Sequence, residues 1–177
     1  MKRFGFILGL LVSFNSLAGI EAFKAGPLIQ KYGKHSKVEQ DLNIPENFRF
    51  KVVFDISDTS GKEKLNRKFD SLARFLNMHV ANGIKTEHIE LAMVVHGSAG
   101  ADLLNEKAFM DKFETGNPNL ELLQLLLEHN VQIILCGQSA AFHNIKNADI
   151  IDGVQMSLSA MTAHAFLQQQ GYHLNPF

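Results

Sequence analysis

Tryptophan is absent from the 177-residue chain, and cysteine occurs once, at Cys136. A single cysteine excludes a disulfide framework and a multi-cysteine zinc centre, and leaves either an inert small hydrophobe or one reactive thiol. Excess charge of one sign is also lacking: 17 Lys and Arg stand against 18 Asp and Glu, for a formal net charge of -1. No basic block follows the first three residues, so the footprint of a nucleic-acid binder is missing. Long apolar runs are missing too. The stretch Phe4 to Val12 is far short of the about 20 residues a membrane-spanning helix needs. The 8 histidines contain no His-x-His or His-x-x-x-His pair, so no metal site is predicted, and no other cofactor is implied. A Gly-x-Ser-x-Gly elbow is absent, which argues against a conventional hydrolase.

What remains is the material of one domain, 46% hydrophobic and 20% charged. Lys2 and Arg3 precede the short apolar run, and Ser16-Leu17-Ala18 supplies a small-x-small triplet, the pattern of a signal peptide over residues 1–18. The expectation is a periplasmic or secreted protein, soluble and without a membrane association once cleaved after Ala18. Residues 19–48 carry Gly26-Pro27, Gly33 and Pro45 without a sustained apolar period, and read as a lead-in that wraps a domain spanning 49–177.

Within that domain, Phe50 to Ile56 forms a β-rich run closed by the turn residues Asp58-Thr59-Ser60-Gly61. Leu65, Phe69, Leu72, Leu76 and Val80 then follow helical spacing over Lys62 to Asn82, with Gly83 as the stop. The alternation repeats. Ile89 to Val95 is a buried-strand run, Leu103 to Phe113 a helix, and Asn117-Pro118 the entry to a helix over Asn119 to Asn130. Val131 to Cys136 is a third strand. Gly153 to Met156 is a fourth, an alanine-rich helix with Leu158, Met161 and Ala165 on one face follows, and Tyr172 to Asn175 is a fifth. Strands separated by helices predict an α/β fold, a three-layer α/β/α sandwich with a mainly parallel sheet of about five strands.

Ligands of open parallel sheets bind beyond the carboxyl ends of the strands. Those ends carry Ser57 and Asp58, His96 to Gly100, Cys136 to Ser139, and Ser157. Cys136 leaves its strand into Gly137-Gln138-Ser139, where backbone N–H groups of the next turn would favour a thiolate. His96 ends the neighbouring strand and is the expected base or cationic neighbour of that thiol, with Ser139 a lesser contributor. Gly97, Ser98, Gly137, Gln138 and Ser139 line the expected pocket, with Cys136 at its mouth. Asn77 and His79, at a helix end, read as solvated or capping. Leucine at 120, 122, 123, 125, 126 and 127 leaves only Glu121, Gln124 and Glu128 plainly polar, which points to a homo-oligomeric interface on this helix or to packing under the sheet.

The segments Phe69 to His79, Val94-Val95-His96-Gly97, Asn117-Pro118-Asn119, Leu135-Cys136-Gly137-Gln138-Ser139 and Leu167-Gln168-Gln169-Gln170-Gly171-Tyr172, taken in order, resemble the DsrE/DsrF-like family in its exported branch. The resemblance runs from about Phe50 to Phe177. It implies an α/β/α sandwich assembled into homotrimers or hexamers, and a cysteine, here Cys136, that carries sulfur as a persulfide between a donor and an acceptor protein. The competing expectation is a non-catalytic oligomeric module that binds a small molecule or anion and uses Cys136 only for packing.

Overall fold

The computed structural model describes residues 18–176. The signal-peptide assignment rests on residues outside that range, apart from Ala18. After a short helix α1 (Ala18–Glu21), the strands are β1 (Phe50–Ile56), β2 (Ile89–Val95), β3 (Gln132–Cys136), β4 (Gln155–Ser157) and β5 (His173–Asn175). They form one sheet in the order β4-β3-β2-β1-β5, and every neighbouring pair is parallel. The intervening helices are α2 (Arg67–Ala81), α3 (Glu106–Phe113), α4 (Leu120–Glu128), α5 (Gly137–Phe142) and α6 (Ala160–Gln169). The fold is thus the expected α/β sandwich.

Alternation along each strand sorts the core into two layers. Phe54, Ile56, Leu91, Met93, Val95, Ile133 and Leu135 face a large cluster built with α2, α4 and the Phe109 turn of α3. Val53, Ala92, Val94 and Ile134 face a much smaller one, completed by Ala163 and Leu167 of α6 and by Tyr172. β2 is apolar from Leu91 to Val95 because that stretch is buried on both sides, while Glu90 near its start is partly exposed and pairs with Lys51. Among the described residues, α6 is the one helix that packs on the second face. It carries the chain from edge strand β4 across to β5, and small residues at Ala92 and Ala163 let it sit close.

Several boundaries and faces differ from the sequence expectation. α2 starts at Arg67, not Lys62, because Asn66 caps it by accepting from the Lys68 amide. Gly97–Leu103 forms a 3₁₀ helix, and α3 begins after it with Asn105 as cap. On α6 the buried positions are Ala163 and Leu167; Met161 is 80% exposed, Ala165 is exposed as well, and Leu158, 71% exposed, lies before the helix. On α4, in line with the packing alternative, Leu122, Leu123 and Leu126 are fully buried; Leu120, Leu125 and Leu127 are partly buried beside them, and Glu121, Gln124 and Glu128 face solvent.

The lead-in is ordered and lies along α2. Asn77, expected to be solvated or capping, is instead fully buried and holds this segment. Its Oδ1 accepts from the amides of Leu28 and Ile29, and its Nδ2 donates to the carbonyls of Ile29, Tyr32 and Gly33. Gly33, at φ +64°, passes so near α2 that a Cβ would lie 2.3 Å from the Ala73 carbonyl carbon. Ile29 of the segment is itself buried in the large core cluster. His79 is likewise drawn inward, stacked on Phe75 with its Nδ1 at 2.7 Å from the Phe75 carbonyl, and burial holds its pKa below the usual imidazole value.

Candidate functional site

Cys136 is the last residue of β3 and the N-cap of α5, with only 5% of its surface exposed. Strand alternation puts Leu135 into the large core and turns Cys136, like Ile134, to the α6 face. Its surroundings are polar at close range. Burial opposes a charge on its sulfur, but the Ser139 hydroxyl and the amides of Ser139, Ala160 and Gln138 outweigh it, and the thiol pKa lies below its ordinary value. These amides belong to the first turns of two helices, α5 and α6, whose N–H groups have no partner within the helix. Their convergence comes from the parallel register, which sets Cys136 beside Ser157, two residues before the Ser159 cap of α6.

Close backbone approach makes the convergence possible. A Cβ on Gly137 would lie 2.5 Å from the Ser157 carbonyl oxygen, so only glycine lets α5 start against the β4–α6 link. Gln138 Nε2 donates across the same gap to the Leu158 carbonyl at 3.2 Å. Ser139 Oγ accepts from the Gly97 amide at 2.9 Å and thereby ties the loop after β2 to α5. Gly97 adopts φ +56°, and a Cβ there would stand 2.7 Å from the Ser57 carbonyl oxygen. Ser98 serves the loops: its hydroxyl donates to the Ser57 carbonyl and accepts from the Thr59 amide.

His96 is placed differently from the expectation. It follows β2 directly and so lies beside Cys136 in the register that pairs Val95 with Leu135. Its Nε2, however, bonds Asp55 Oδ2 at 3.0 Å, and the groups acting on the sulfur are Ser139, Gln138 and Ala160. Sequence reasoning missed Asp55 and its second partner, His164, whose Nε2 lies 2.6 Å from Asp55 Oδ1. Both histidines hold the carboxyl below its usual range, although burial alone would raise it. Asp55 is the one acidic residue of β1, and with Lys51 it is one of two charged positions on the α6 face of that strand, a signal that was legible. The cluster is a hydrogen-bonded chain: among the described residues no group of His, Cys, Asp or Glu is arranged to hold a metal ion.

A second polar centre lies behind the β1 and β2 loops. Asp102 is 2% exposed; its carboxylate accepts from Thr59 Oγ1 at 2.6 Å and Asn66 Nδ2 at 2.8 Å, while burial raises its pKa. Asn119 Oδ1 accepts from the Asn66 amide and Asn117 Nδ2 donates to the Asp102 carbonyl, so this network joins the caps of α2 and α4.

A cysteine at a strand end, stabilised by two helix N-termini over a five-stranded parallel sheet, defines a class of α/β sandwich with a single polarised thiol. The model of the DsrE/DsrF-like family matches residues 51–176, and the chain belongs to that family, whose fold is sulfur-relay-related. Among solved structures, the MTH1491 protein of Methanobacterium thermoautotrophicum, of unknown function, shares the fold at 15% identity and a TM-score of 0.50, over 72% of this chain and 99% of that one. The YchN protein of E. coli aligns at 17% identity and a TM-score of 0.48, over 72% of this chain and 100% of its own. No curated protein matches.

Proposed function

We propose that this protein carries sulfane sulfur as a persulfide on Cys136. The observation that carries the reading is the thiolate-stabilising shell of Ser139 hydroxyl and three amides around a thiol in a sulfur-relay-related fold. With thiosulfate as donor, the Cys136 thiolate attacks the sulfane sulfur, a new S–S bond forms on Cys136, the donor S–S bond breaks, and sulfite departs with the electron pair. With a persulfide donor the leaving group is its thiolate. Delivery is the same exchange in reverse sense: an acceptor thiolate attacks the outer sulfur and Cys136 is released as thiolate. No external oxidant or reductant enters either step. Cys136 is the sole cysteine, so the acceptor thiol belongs to another molecule.

The same reading places the protein outside the cytoplasm, after removal of residues 1–18, as a homo-oligomer. Exposed Phe142, Leu158 and Met161, on the segments that flank Cys136, supply apolar surface for subunits or an acceptor protein. A second reading, an oligomeric anion-binding module with a structural cysteine, is favoured by the 5% exposure of Cys136. Intact-mass measurement after incubation with thiosulfate or polysulfide separates the two. The carrier gains one sulfur atom and loses the gain on Cys136→Ser; an unchanged mass leaves the binding module.

A further inference from the structure

The register of β3 and β4 sets Cys136 beside Ser157, three residues before Ala160, the first residue of α6, and the Ala160 amide is one of the groups that favour the thiolate. α6 is held to the sheet by few apolar side chains, Ala163 and Leu167 being its buried ones, with partly buried Ala160 packed beside them. His164 stands one helical turn beyond Ala160, so whatever fixes His164 fixes the first turn. Asp55 of β1 is bonded to it at 2.6 Å through Oδ1 and is itself held by His96 through Oδ2 at 3.0 Å. The carboxylate therefore links β1, the end of β2 and α6 in one chain. A neutral histidine that donates from Nε2 to a carboxylate has its tautomer and ring orientation set by that bond.

We propose that Asp55 is a positioning residue for the Cys136 thiol: clamped between His96 and His164, it seats the first turn of α6 so that the Ala160 amide faces the sulfur. Asp55 does not touch the reacting atoms and acts through α6. The inference rests on Cys136 being the working thiol of the carrier reading, yet its readout is the ionisation of the thiol, not sulfur transfer. Its failure and the failure of that reading are therefore distinguishable. Among the described residues, the titratable groups that act on Asp55 are the two imidazoles, so each end of the clamp can be removed by one substitution.

The test is the pH profile of iodoacetamide alkylation of Cys136 on the native full chain, with folding checked by circular dichroism. Asp55→Ala and His164→Ala are expected to raise the midpoint by roughly half a pH unit, so that alkylation near neutral pH slows about threefold while the plateau at high pH is unchanged. His164→Gln, whose amide reaches toward Asp55 as a donor, is expected to restore much of the midpoint. His96→Gln leaves the Asp55–His164 bond in place and is expected to shift it less. Should Asp55→Ala fail to fold, the pair His164→Ala and His164→Gln carries the test alone. A wild-type midpoint in folded His164→Ala overturns the proposal, as does an equal shift in His164→Ala and His164→Gln.

Discussion

The Gly97 amide donates to Ser139 Oγ at 2.9 Å, and this bond determines what Ser139 can do for Cys136. A hydroxyl that already accepts from an amide keeps its single proton for another acceptor, and the nearby sulfur is that acceptor. The serine is therefore an oriented donor in the thiolate shell, and it is supported by the left-handed turn at Gly97.

Ser139→Ala is expected to raise the Cys136 pKa by about one unit, since a hydrogen bond to a charged group is worth about 1.5 kcal/mol. Ser139→Thr, which keeps the hydroxyl, is expected to stay near wild type. The ionisation of the thiol, followed by absorbance of the thiolate against pH, checks both. Removal of His96 is expected to matter less than removal of Ser139, the reverse of the order expected from sequence.

Asn77→Ala is expected to destabilise the fold by roughly 2–4 kcal/mol, because it orphans five backbone groups of the lead-in at a fully buried site. Cleavage within residues 19–48 by limited proteolysis is expected to accelerate in parallel. Urea titration with a protease time course measures both; unchanged cleavage would show that the lead-in is held without Asn77.

Asp102 makes stability pH-dependent with a definite sign. Its folded pKa is raised by burial, so its contribution is complete below the unfolded carboxylate value and is lost as pH rises through the raised folded one. Wild type minus Asp102→Asn, compared by Tm across the mildly acidic range, is therefore expected to fall with rising pH. A difference that grows with pH would contradict the buried-carboxylate account.

The layers of the fold were legible because hydrophobic period is a local property. The run Ile89 to Val95 forms β2 where the spacing puts it, and a helix does follow Pro118, but it begins at Leu120 with Asn119 at its N-cap and no side-chain cap bond, not with Asn117 as cap and Pro118 as its first residue. Local signals also placed Cys136 and Ser139 together, three residues apart across a strand-to-helix junction. The Asp55–His164 bond was not legible, since 109 residues separate its ends and nothing near either names the other. Asn77 misled for the same reason: a polar residue near a helix end usually faces water, and its partners lie 44 to 49 residues upstream. The inward face of α6 was not legible because Met161, and Leu158 just before the helix, look like core until the small second cluster with Ala92 and Ala163 shows which side is inward.

The most direct test of an activated Cys136 is the rate of its alkylation in the native protein across pH 6 to 9, repeated in denaturant. The account predicts a native midpoint below that of the same thiol in the unfolded chain, and an upward shift once the helices unfold. A native thiol inert over the whole range, reacting only after denaturant is added, would contradict it.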